Sequence, residues 1–151
     1  MADQAPQNFQ NHTKLDPKFH FVLIPIFAGN LVYRIYHLVR YFMNPEGSWT
    51  GPVGAVVLAF ALLLMMFTIR LYSLKVQTRV IRLEERLRLG VVLPEALRVR
   101  IPELTESQLV ALRFAPDEEL TELVRTTLDK NLDNKAIKQS IRNWRPDHFR
   151  V

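Results

Sequence analysis

Pro52-Val-Gly-Ala-Val-Val-Leu-Ala-Phe-Ala-Leu-Leu-Leu-Met-Met-Phe-Thr-Ile69 carries no charged side chain, and the first one after it is Arg70. As a helix this run would rise roughly 27 Å, close to the thickness of a bilayer's hydrocarbon core. The stretch predicts a transmembrane helix. Downstream, Arg70 to Leu89 holds no Gly or Pro and is rich in Leu, Arg, Glu and Lys, so the same helix should continue into the aqueous phase. Along that extension Tyr72, Val76, Val80, Leu83 and Leu87 recur at helical spacing and form one apolar stripe that needs a partner. Arg82 with Glu85 and Glu84 with Arg88 are spaced for local ion pairs on the extension, and Gly90 and Pro94 are the expected stop.

Upstream, Met43 to Gly51 reads as a short turn-rich connector, which forces its flanking helices to run antiparallel. Before it, Phe19 to Phe42 is long enough to span, although Arg34, His37 and Arg40 interrupt its second half. Asp16-Pro17 is a helix start, with Asp as cap, and Pro25 should weaken or bend the first turns. The segment 1–16 is a polar tail without the features of a signal peptide. Together the two runs take about forty of the 151 residues, leaving too little chain for a large enzyme domain.

The net charge of +5 is concentrated. Eight basic residues face three acidic ones between Arg70 and Arg100, whereas 101–151 holds eight basic and nine acidic residues. Basic charge directly after an apolar run, including Arg70, Lys75, Arg79 and Arg82, marks a cytoplasmic membrane boundary in contact with lipid headgroups. Lys14 and Lys18 precede the first run and only Glu46 lies in the connector, so both termini are expected in the cytoplasm.

Beyond Gly90 the punctuation predicts three short amphipathic helices. Thr105 to Gln108 has capping-box spacing, Pro116-Asp-Glu-Glu119 is an acidic first turn, and Asp133 precedes Ile137, Ile141 and Trp144. A module of about sixty residues is near the lower limit for an independent core, and should lean on the long helix or on another chain. The expected architecture is all-α: a membrane hairpin (17–69, spans about 19–42 and 52–69), a helical extension (70–90) and a small helical module (91–151).

The absence of cysteine rules out disulfides, thiolate zinc sites, iron–sulfur clusters, cysteine-attached haem and a cysteine nucleophile. Asn30, Arg34, His37 and Tyr41 share one face of the first span, and a cation at mid-bilayer is costly enough that this face should turn to other helices, a cavity or an interface. It reads either as an inter-helix or inter-subunit seam or as the lining of an ion path. His20 and His37 would lie about 25 Å apart along a helix, too far to ligate one haem, and His12 and His148 belong to polar terminal segments. No cofactor or metal is expected. Gly51, Gly54, Ala55, Ala59 and Ala61 allow close helix approach, within the hairpin or between copies, and form no phosphate loop. Ser107, Ser140 and His148 have no hydrolase spacing, so no catalytic role is assigned. Lys135, Lys138, Arg142, Arg145 and Arg150 with Trp144 could serve nucleic acid, or be the solvated face of a helix beside an anionic leaflet, which is the favoured reading.

Asn11-His-Thr13, Gln77 to Arg88, Leu109-Val-Ala-Leu-Arg-Phe-Ala115 and Lys135-Ala-Ile-Lys-Gln-Ser-Ile-Arg-Asn-Trp-Arg-Pro-Asp147 are spread over most of the chain. In these words and their order the chain resembles a small family of bacterial membrane proteins of unknown function. The resemblance implies the two-span layout and carries no activity, cofactor or catalytic residue. The expectation is a non-enzymatic, multi-pass protein of the bacterial inner membrane that works as a homo-oligomer or as a subunit of a larger complex. A homo-oligomeric channel or transporter is the alternative, and a membrane-tethered nucleic-acid binder a weaker one.

Overall fold

The computed structural model describes residues 8–10 and 15–147, and all of the regular structure among them is helical. Its contacts divide it into a hairpin unit, Leu15–Leu74, and a second unit that begins at Lys75 and takes in residues 8–10. The second helix of the hairpin, α2 (Thr50–Val92), runs through that division.

The hairpin opens where Asp16 was expected to cap it: one carboxylate oxygen accepts from the main-chain N–H groups of Lys18 at 3.0 Å and Phe19 at 3.3 Å. The first turns differ from the expected α-helix, because Lys18–Leu23 is wound as a π-helix before α1 (Ile24–Met43) begins. The wide winding stands immediately before Pro25, which has no N–H to give to an α-type ladder and whose ring would crowd the carbonyl one turn back. At the far end Gly47 takes φ +75°, a backbone state that glycine adopts without a Cβ penalty, and its carbonyl accepts from the Tyr41 hydroxyl at 2.8 Å.

Between the two helices Phe19 meets Phe67 edge to face at 5.9 Å, and Arg70 lies over the Phe19 ring while its guanidinium is 3.5 Å from Asp16. Ala59 and Met66 are buried. The apolar residues Phe21 of the π-helical turns, Ile26 and Val32 of α1, and Leu58, Phe60 and Ile69 of α2 are exposed. Both helices are long and apolar enough to cross a membrane.

In the second unit α2 ends at Val92, between the expected stop residues Gly90 and Pro94, and Leu89 and Leu93 enter the core formed with the helices that follow. Those are α3 (Glu95–Arg98), a 3-10 turn at Ile101–Glu103, α4 (Glu106–Leu112), α5 (Asp117–Lys130) and α6 (Asn134–Ser140). The core gathers Leu97, Leu104, Leu109, Leu112, Phe114, Leu120, Val124 and Ile137 around those two leucines. Each expected start is present. Thr105 and Gln108 complete both halves of a capping box, α5 opens on Asp117, Glu118 and Glu119, and Asp133 accepts from the Ala136 N–H at 2.7 Å. Asn131 ends α5 in the left-handed conformation, φ +47°. After α6 the chain turns back over Phe114: Trp144 stacks on that ring at 4.9 Å, and the Arg145 N–H donates to the Phe114 carbonyl at 2.8 Å.

Candidate functional site

The part of α2 that lies in the second unit has a covered side and an open side. On the covered side are Ile81, Glu85, Arg88 and Leu89, which face the short helices. On the open side Val76, Val80, Leu83 and Leu87 are 61%, 47%, 60% and 65% exposed. The apolar stripe expected from the sequence is thus left uncovered by the chain's own module along those four residues, with Tyr72 also exposed at its upper end.

The covered side is held by charge rather than by leucines alone. Glu85 is only 4% exposed. It lies 3.3 Å from Arg88 and 3.9 Å from Arg145. Burial pushes its carboxyl above the usual glutamate range, against the opposing pull of the Arg88, Arg145 and Arg113 cations. Arg88 reaches further, donating to the Ala115 carbonyl at 2.7 Å and to Asp117 at 2.8 Å through Nε. Arg113 lies over the Phe114 ring and 3.0 Å from Asp147. Arg82 pairs with Glu106. In place of the expected Arg82 to Glu85 and Glu84 to Arg88 pairs, Arg82 pairs with Glu106, and Arg88 with Glu85 on its own helix and with Asp117, since folding the module against α2 brings Glu106 and Asp117 to it.

Glu84, Glu85, Arg88, Arg113, Arg145 and Asp147 line a cleft of about 460 Å³. Three acids face three arginines there, so the cleft has no surplus charge with which to hold an ionic substrate. Its chemistry is that of a clamp. The sequence had marked out the stretches that supply it, 77–88, 109–115 and 135–147, but not that they converge on Glu85.

Among the described residues the polar face of α1 is not brought to a counter-charge. Tyr33 and Tyr36 flank the His37 ring at 4.3 and 5.5 Å, Arg34 lies over Tyr33 at 5.7 Å, and Asn30 and Tyr41 are half-buried while Arg34 and His37 are exposed. The pairing of Asp16 with Arg70 and Phe19 with Phe67 fixes the hairpin's register. Carried along two antiparallel helices, it sets Arg34 about level with Pro52, where the uncharged run of α2 begins. Among the small residues, Ala59 is buried inside the hairpin, whereas a Cβ at Gly51 or Gly54 would meet open space among the described residues.

The basic stretch near the end of the chain is not one helical surface. Lys135 and Lys138 are on α6, which stops at Ser140, and Arg142 and Arg145 lie beyond it. Lys138 lies over Phe114 and Arg145 faces Glu85. His12, Lys14, His148 and Arg150 fall outside the described residues. Among the described residues no group of three His, Asp or Glu side chains is placed to hold a metal ion.

A profile described as a family of unknown function, DUF6526, matches residues 1–151. The chain belongs to DUF6526. No curated protein and no solved structure matches it. Membership of DUF6526 supplies no reaction, so the chemistry has to be read from the seam and the clamp themselves.

Proposed function

We propose that this protein is a non-enzymatic membrane component of a bacterial inner membrane, whose hairpin anchors it and whose extended α2 presents a surface for assembly, either with copies of itself or as an accessory subunit of a larger complex. The observation that carries the reading is the open stripe Val76, Val80, Leu83 and Leu87 on the part of α2 that follows the uncharged run. A single solvated valine or leucine means little, but four at helical spacing on one side, with the module packed on another, are an interaction surface. The outward apolar side chains of the hairpin support membrane anchoring, and the basic excess after Ile69 supports a cytoplasmic location for the module. Residues 8–10 line a cleft with Lys138, Ile141, Arg142 and Trp144, which supports placing both ends of the chain on one side of the membrane.

The channel reading gains less support. With Arg34 about level with Pro52, the Asn30, Arg34, His37 and Tyr41 face belongs to the connector end of the hairpin, where a cation reaches headgroups, rather than to a path through its middle.

The test is the native mass of the particle extracted from membranes in a mild detergent, with its protein content identified. A fixed multiple of this chain, or a defined mixed complex, is the expected result. A monodisperse monomer without a co-purifying protein overturns the reading. Flux through liposomes that is lost in Arg34→Ala would favour the channel in its place.

A further inference from the structure

We infer that the open side of α2 is the seam of a parallel, in-register two-stranded coil between two copies of this chain, closed by reciprocal Arg79 to Glu84 pairs. The inference rests on the membrane-assembly reading above and adds the identity, direction and register of the partner.

The spacing Val76, Val80, Leu83, Leu87 is four, three, four, which is the alternation of core positions in a heptad: Val76 and Leu83 take one core position, Val80 and Leu87 the other. A β-branched residue at the first core position and leucine at the second, as Val80 and Leu83 provide, favours two strands. The flanks then carry Arg79 on one side of the seam and Glu84 on the other. Five residues apart, these positions do not meet on one helix. Across a parallel pair in register they do, and twofold symmetry makes the contact twice, with opposite charges each time. Among the described residues neither Arg79 nor Glu84 takes part in an ion pair within its own chain, whereas Arg82, Glu85 and Arg88 do. Arg82, Glu85 and Arg88 thus hold the module, while Arg79 and Arg86 flank the seam on one side and Glu84 on the other, where it borders the cleft.

The surface fits this occupant better than an unrelated one for two further reasons. The module occupies the positions opposite the core positions, so a second α2 approaches without displacing it. Two copies inserted with the same topology also present their α2 extensions in the same direction, so the parallel arrangement follows from the anchor. The apolar stretch is only about two heptads long, too short to pair in free solution, and confinement of both copies to one membrane supplies the effective concentration that it lacks.

The native chain contains no cysteine, so single cysteines report proximity without a background. In full-length protein in native membranes, Val80→Cys and Leu83→Cys should each form disulfide dimers on mild oxidation, and Lys75→Cys, outside the seam, should not. Arg79→Glu or Glu84→Arg alone should weaken the dimer about ten-fold in detergent, and the double exchange R79E/E84R should restore it. If the wild type is oligomeric but Val80→Cys and Leu83→Cys do not cross-link, or the double exchange fails to rescue, the inference falls while the assembly reading stands on another surface. Cross-linking of a Val76→Cys copy to a Leu87→Cys copy, the antiparallel pattern, overturns it too. A wild type that is monomeric and partnerless removes the reading beneath it.

Discussion

Arg88 donates to the Ala115 carbonyl at 2.7 Å, joining the long helix to the corner between α4 and α5. The same guanidinium also binds Asp117 and lies beside Glu85. Its planar fork satisfies three acceptors at once, which an ammonium cannot do. Arg88→Lys should therefore cost about 1.5–3 kcal/mol of module stability, the scale of hydrogen bonds to a charged group. Denaturant unfolding in detergent, followed by the fluorescence of Trp144 with Trp49 replaced by Phe, measures it.

Glu85 gives the fold a pH dependence opposite to that of a typical paired carboxylate. Its folded pKa is raised, so the folded state holds the proton more tightly than the unfolded chain does. That contribution is full below the ordinary glutamate range and is lost as pH rises through the raised value. Ionisation of this side chain is less favourable in the folded module than in the unfolded chain. Glu85→Gln should flatten the loss of stability that sets in as pH rises above the ordinary glutamate range. A wild-type profile whose stability instead rises with pH above that range would show that the surrounding arginines outweigh burial.

Gln108 serves two helices. Its side-chain oxygen accepts from the Thr105 N–H at 2.8 Å, and its amide donates to the Leu132 carbonyl at 2.9 Å, just after α5. Gln108→Glu keeps the acceptor and loses the donor, setting a carboxylate against a carbonyl. It should destabilise the module by about 1–3 kcal/mol, more than Thr105→Ala, which removes only a cap worth about 1 kcal/mol. Paired thermal melts of the two variants decide the order.

Thr127 is fully buried in α5, and its hydroxyl has no hydrogen-bond partner among the described residues. Thr127→Val retains the shape and removes the desolvated group, and should raise stability by about 1 kcal/mol. An unchanged or lowered melting temperature would mean that the hydroxyl is satisfied by water.

The helices were legible in the sequence wherever a local signal defined them. The charge-free run announced α2, Asp16 announced its cap, and Thr105, Asp117 and Asp133 announced the three helices behind them. Local signals failed where a distant group decided the outcome. Gly90 alone does not end α2, which runs two residues past it and stops before Pro94, with Leu89 and Leu93 in the core. Arg82 and Arg88 are spaced for neighbours on their own helix, yet Glu106 and Asp117 also reach them. The open stripe was readable because it depends on spacing alone. The clamp was not, since nothing in the chain near Glu85 announces Arg145.

Glu85 and Arg145 are separated by about sixty residues, and the Arg113 to Asp147 pair closes over the same cleft. A contact of such long sequence separation forms only after the intervening helices have condensed, because the loop entropy must be overcome first. During synthesis the hairpin and the open side of α2 are therefore complete while the back of the helix is still bare. The segment 142–147 then works as a latch that arrives last, closing over Phe114 and Glu85 once the helices around Leu89 and Leu93 have condensed.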